Sequence, residues 1–173
     1  MKTRILGLLF FAWLAALTSC AQADQVPTPE WIGPPEIELA EVKVYFLDEG
    51  RFAVGQEPYE IAVTREIHPD AFLPRLALQA YFEGPTEEEY AQGLRAVLSG
   101  CTGFSEFSIQ NEIAMLKLEG PCTSGGSTYT IASPIMKTLL QFPEIEFVKI
   151  FDAAGNTEEP FGPVNSIPLV LEP

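Results

Sequence analysis

YEIAVTREIHPDAFLPRLALQAYFEGPTEEEY, residues 59–90, changes its period half way along, and that change decides the class of fold. Tyr59 to Ile67 is rich in β-branched residues and follows the Gly55/Pro58 break, which predicts an extended strand. Beyond His68-Pro69 the repeat becomes helical: Leu73, Leu76, Ala77, Ala80 and Tyr81 fall on one face, and Gly84-Pro85 stops the helix. Thr86 with Glu89 three residues on spells a capping box, and Glu87, Glu88 and Glu89 suit the positive end of a helix dipole. A second helix is therefore expected, carried to about Ser99 by the stripe Tyr90, Leu94, Val97 and Leu98. The glutamate triplet reads as a capped, solvated first turn and not as a cation site.

Upstream, Val42, Val44 and Phe46 alternate with Lys43, Tyr45 and Leu47 as far as Asp48-Glu49-Gly50, predicting a strand and a turn. Downstream, the β-rich runs Phe104–Gln110 and Ile113–Glu119 flank Asn111, which tolerates left-handed geometry, and predict a hairpin. Ser124 to Phe142 reads as a helix with Ile131, Ile135, Leu139 and Phe142 on one face and Pro143 as its stop. Pro134 inside that run leaves two readings: a late start with Ser133 as cap, or a longer helix bent at Pro134. Phe147–Phe151 is the last strand, and the proline-broken tail from Glu158 either lies over the surface or adds an edge strand through Ile167 to Leu171. The order ββααββαβ predicts an α+β two-layer sandwich, a mainly antiparallel sheet with helices packed on one face.

The N-terminus reads as an export signal. Lys2 and Arg4 precede the apolar run Ile5 to Leu17, which is too short and too near the terminus for an ordinary membrane span. Leu17-Thr18-Ser19-Cys20 resembles the bacterial lipobox, in which the cysteine thiol receives a diacylglycerol and becomes the first mature residue; the alternative is a plain secretory signal cut nearby. Two or three acyl chains hold a protein at a membrane, where a single chain binds only marginally. Ala21 to Glu36 carries Pro27, Pro29, Pro34 and Pro35 and reads as an extended tether of about 3 Å per residue. The expected organisation is a signal peptide at 1–19, a lipid-anchored proline-rich tether at 20–40, a domain at 41–157 and a C-terminal extension at 158–173. Ala21 is not the aspartate that retains lipoproteins at the inner membrane of many two-membrane bacteria, so an outer-membrane destination is open in such a host.

With Cys20 lipidated, the chain's three cysteines leave Cys101 and Cys122, an even number in an oxidising compartment. Their pairing is the leading reading, ahead of zinc binding or a thiol nucleophile, for both of which the chain offers only one histidine, His68. Removing Lys2 and Arg4 leaves 8 basic against 24 acidic side chains, a formal charge of −16. Such a surface repels nucleic acid and anionic headgroups, so lipid and not charge must hold the protein to its membrane.

Several short stretches follow one another in order along the domain. VYF (Val44–Phe46) is followed by VTREI (Val63–Ile67) ahead of PRLAL (Pro74–Leu78), then GPT (Gly84–Thr86) with GLR (Gly93–Arg95). GGS (Gly125–Ser127) and TLLQFP (Thr138–Pro143) complete the series. Together they resemble the GerMN domain, named from spore germination and sporulation proteins and found in many bacterial lipoproteins. The resemblance implies a non-catalytic α/β domain, similar to ring-building motifs of envelope machinery, used for protein–protein assembly or envelope binding. Two departures stand out. LSGCTGF (Leu98–Phe104) places Cys101 in a connection where the family tends to have a proline and Gly-Thr, and there is one copy of the domain in place of the sporulation members' tandem pair.

No catalytic, metal or cofactor residue is assigned. His68 reads as a surface-loop histidine, no G-x-S-x-G elbow occurs, and 24 acidic residues guarantee carboxylate pairs by chance. Ser124-Gly125-Gly126-Ser127 lacks the P-loop lysine and reads as a cap and loop. Thr64-Arg65-Glu66 is the candidate interaction surface, with a structural bridge from strand to helix layer as the competing role. Phe104, Phe107, Phe147 and Phe151 read as core packing. The expected function is a lipid-anchored module that binds an envelope protein or assembles with itself. The rival, an envelope hydrolase or a binder of small peptidoglycan fragments, predicts a cleft with convergent polar groups and shifted titrations.

Overall fold

The computed structural model describes residues 38–173, so the expected signal, lipobox and most of the tether lie outside the described residues. β1 (Ala40–Asp48) buries Val42, Val44 and Phe46 and turns Lys43 outward, the alternation its sequence predicts. β2 (Glu60–Ile67) pairs with it antiparallel, from Ala40 opposite Ile67 to Leu47 opposite Glu60. Between them, where a turn was expected, Asp48 caps a one-turn helix α1 (Glu49–Ala53) by accepting the Arg51 N–H at 3.0 Å.

α2 (Leu73–Glu83) buries Pro74, Ala77, Leu78 and Tyr81 and ends at Gly84, whose φ of +88° closes the helix. α3 (Glu87–Ala91) opens with the predicted capping box: Thr86 Oγ1 accepts the Glu89 N–H at 3.2 Å and Glu89 Oε2 accepts the Thr86 N–H at 2.8 Å. The helix stops well short of Ser99. Gly93 takes φ +94°, and Leu94, read above as part of a helical stripe, is buried instead in the two-residue strand β3 (Leu94–Arg95) against Leu47 and Asp48.

β4 (Gly103–Gln110) and β5 (Ile113–Glu119) form the predicted hairpin. Asn111 and Glu112 supply the two positive φ angles, +50° and +63°, that a two-residue type I′ turn requires. α4 (Ala132–Leu139) takes the late start of the two readings, with Pro134 in the first turn, where no intrahelical donor is lost. Its cap position is Ile131 and not Ser133, because the Ser133 hydroxyl is drawn away to Glu60. β6 (Phe147–Phe151) lies parallel to β5, an arrangement that the crossover through α4 permits.

The α+β class stands, but the strands divide into two three-stranded sheets, β2-β1-β3 and β4-β5-β6, in place of one mainly antiparallel sheet. Beyond the short β3, helix α4 and the turn that follows it occupy the edge of β1. Thr138 Oγ1 accepts the Tyr45 N–H at 3.2 Å, Gln141 Oε1 accepts the Lys43 N–H at 2.7 Å, and Gln141 Nε2 donates to the Lys43 carbonyl at 2.6 Å. One side-chain amide thus satisfies both backbone groups that a neighbouring strand would have satisfied. Val44, Leu78, Leu116, Ile135, Leu139 and Ile150, drawn from both sheets and both longer helices, share one core.

The tail runs beside β6 through a single bridge: Ser166 N–H donates to the Val148 carbonyl at 3.0 Å and the Ile150 N–H to the Ser166 carbonyl at 2.9 Å. Leu169–Leu171 then forms a short 3-10 helix that buries Leu171, so no edge strand continues through this segment. Lys149, only 1% exposed, ties the tail down by donating from Nζ to the carbonyls of Glu159, Phe161 and Val164. Cys101 and Cys122 are joined as a disulfide with their Cα atoms 4.5 Å apart. Gly100 makes that approach feasible: at φ +73°, a Cβ there would stand 2.7 Å from the Pro121 carbonyl oxygen.

Candidate functional site: an ion-paired pocket at Glu60

Strand alternation places Glu60 on the same face of β2 as the exposed Ala62, Thr64 and Glu66, yet Glu60 is only 6% exposed. The difference comes from α4. Ser133 and Lys137 stand one helical turn apart and both reach Glu60: the Ser133 hydroxyl donates to Oε1, and Lys137 Nζ donates to Oε2 at 2.6 Å. Each carboxylate oxygen therefore has its own donor. The Tyr129 hydroxyl is buried in the same cluster, close to the Glu60 carboxylate and the Ser133 hydroxyl.

Burial pushes the Glu60 carboxyl up, but the hydrogen bonds from Lys137 and Ser133 outweigh it and hold the group below its ordinary range. Burial and the neighbouring Glu60 charge push the Tyr129 phenol well above its own range. A carboxyl whose folded pKa lies below the unfolded 4.5 contributes stability above that pH and loses it as pH falls through the folded value. Lys137→Met is expected to cost about 2 kcal/mol at pH 7, less than the 3–5 of a fully buried pair because the lysine is half in solvent. The gap from wild type should narrow as pH falls to 4.5 and below, because Glu60 of the variant, without the ammonium, takes up its proton at a higher pH than Glu60 of the wild type. Urea unfolding at pH 7 and near pH 3.5 checks this, and a gap that is constant with pH contradicts the assignment.

Above the cluster lies a cavity of about 560 Å³ lined by Glu57, Pro58, Tyr59, Thr128 and Tyr129 together with Glu60, Ser133 and Lys137. Tyr59 and Tyr129 meet edge to face, their centroids 6.1 Å apart, and Phe52 packs on both at 5.3 and 5.5 Å. A second hollow, about 590 Å³, shares Thr128, Ser133 and Lys137 and continues between α4 and the tail, past Met136, Leu140 and Ile167.

Of the sequence-predicted residues, Thr64, Arg65 and Glu66 lie on β2, the edge strand of its sheet, with Thr64 and Glu66 exposed. Arg65 makes a bidentate pair with Glu89 at 2.6 and 2.7 Å, tying β2 to α3. That pair, helped by Thr86, holds the Glu89 carboxyl below its ordinary range against a smaller effect of burial. His68 follows the far end of β2 from Glu60, exposed, with its Nδ1 3.9 Å from Asp70. Ser124–Ser127 closes a local turn in which Thr123 and Ser124 hydroxyls accept the Gly125 and Gly126 N–H groups. Cys20 lies outside the described residues. The Glu60 cluster was missed by the sequence reading; its one local signal is the Ser133/Lys137 spacing on α4.

Two small sheets around a shared core, with a polar cluster built from the opening of β2 and the first turns of α4, make up an α+β module. The family model named Germane, described as sporulation and spore germination, matches residues 43–158, and the chain belongs to this family. Among solved structures, the chain is similar to the tandem GerMN domains of the sporulation protein GerM from Bacillus subtilis. The TM-score there is 0.51 at 19% identity, covering 79% of this chain and 49% of that one. The chain thus spans about half the length of the tandem structure. The first GerMN domain of the same protein gives a TM-score of 0.47 at 23% identity, over 73% of this chain and 92% of that one. No curated protein matches the chain.

Proposed function

We propose that the protein is an exported lipoprotein, anchored through Cys20, whose GerMN domain acts as a non-catalytic binding or assembly module at the cell envelope. The observation that carries the location is LTSC at residues 17–20 behind a short apolar run, followed by the proline-rich tether. A non-catalytic role is supported by the way the polar cluster is occupied. The carboxylate that accepts the Ser133 proton is ion-paired to Lys137 and held below its ordinary range, which makes it a poor base for activating that serine. The histidine lies at the other end of β2 from the cluster.

Crosslinking the protein to envelope extract should capture a defined protein partner or a second copy of the chain. Absence of any protein partner, together with cell-wall turnover abolished by one carboxylate substitution, would replace this reading with that of a hydrolase. Cys20→Ala should move the protein from the membrane fraction to the soluble fraction on fractionation. Retention on the membrane contradicts the lipid anchor.

A further inference from the structure

We infer that the cavity over Glu60 binds a neutral pyranose ring of a glycan chain, with Tyr59 and Tyr129 as its apolar wall and the Glu60–Ser133–Lys137 cluster as its hydrogen-bonding floor. The inference names a ligand for the binding module proposed above, and rests on that reading only for where the glycan is met.

The charges of the pocket argue against an ionic ligand. Glu60 is the buried carboxylate, with 4% of its side chain exposed, whereas Lys137 is the outer partner of the pair with 43% exposed. A cation that reaches the Glu60 carboxylate finds it already paired with that ammonium. An approaching anion meets a lysine already paired, the Glu57 carboxylate on the wall, and a chain of formal charge −14. A neutral ligand carrying many hydroxyls avoids both penalties. The pocket offers such a ligand both kinds of group: Lys137 engages only Glu60 and keeps further N–H donors, and the Ser133 hydroxyl, its own proton given to Glu60, is left to accept.

The aromatic wall supplies the other half of sugar recognition, because the C–H face of a pyranose is apolar and lies against an aromatic ring. Phe52, packed on both tyrosines, braces them in place before any ligand arrives. The cavity volume of about 560 Å³ falls within the range of roughly 300–1,000 Å³ usual for small-ligand sites. Its continuation past Lys137 into the second hollow gives a chain room to run on, which favours an oligosaccharide over a free monosaccharide.

Saturation-transfer NMR on the whole chain in a sugar-free detergent tests this, with a β-1,4-linked N-acetylglucosamine tetramer and maltotetraose as the neutral probes, and trilysine and citrate as charged ones. Transfer to the ring protons of at least one saccharide is expected, weakened about tenfold by Tyr59→Ala. Thr128→Trp should weaken it similarly by filling the mouth without touching the Glu60 cluster. No transfer to either saccharide, equal transfer in both variants, or binding of a charged probe in preference to the sugars overturns the inference. A chain that fails here yet leaves the membrane on Cys20→Ala loses the glycan and keeps the anchor.

Discussion

Phe46→Ala should destabilise the domain by about 3–5 kcal/mol, the range for removing a large aromatic from a filled core. Phe46 is fully buried in β1, opposite Ile61 of β2, and stacks on Tyr81 of α2 with centroids 5.6 Å apart and planes at 14°. Alanine would open a void between the first sheet and α2 and leave Tyr81 without its stacking partner. The Tyr81 hydroxyl donates to the Val97 carbonyl at 2.8 Å, so that ring is pinned and poorly placed to fill the space. The midpoint of urea unfolding should fall by the corresponding amount with an unchanged slope. A loss under about 1 kcal/mol would mean that β1 and α2 do not share the core described here.

Removing the bridge by Cys101→Ala together with Cys122→Ala should cost about 3 kcal/mol through the entropy regained by the unfolded chain. The enclosed segment spans a separation of 21 residues and contains the whole β4–β5 hairpin, so the bridge closes the open end of that hairpin. Thr102 N–H already donates to the Glu119 carbonyl at 2.9 Å, which keeps the native geometry much the same without the bridge. The effect therefore belongs mainly to the unfolded state. For a domain of this size the thermal midpoint should drop by about 10 °C, and reducing agent should reproduce the drop in the unsubstituted protein. A double variant melting with the wild type under oxidising conditions would remove the bridge from any stabilising role.

Local signals carried the elements whose geometry is itself local. The Asn111 turn, the Thr86/Glu89 box and the Gly84 stop each involve neighbours in sequence, and each stands in the structure. Leu94 misled because an apolar residue four places after Tyr90 satisfies a helical stripe as well as an inward strand position; Gly93 between them was the signal that separated the two. The division into two sheets depends on which strand meets which, and alternation carries no information about that. The Glu60 site was hidden for the same reason. Its lysine and serine stand 77 and 73 residues away, and the strand period places Glu60 on the exposed side. Ser133 was visible, but a serine ahead of a proline in a helical run also has the form of a cap.

Gln141 stands 98 residues after Lys43, the backbone unit it completes. A ribosome adding roughly 5–20 residues per second needs about 5–20 s to make that stretch. Throughout that interval the first strand exists with its far edge bare and the amide that will cover it not yet synthesised. Whatever shields the unfolded chain in its host has to keep this edge unpaired until Gln141, in the last fifth of the sequence, is in place.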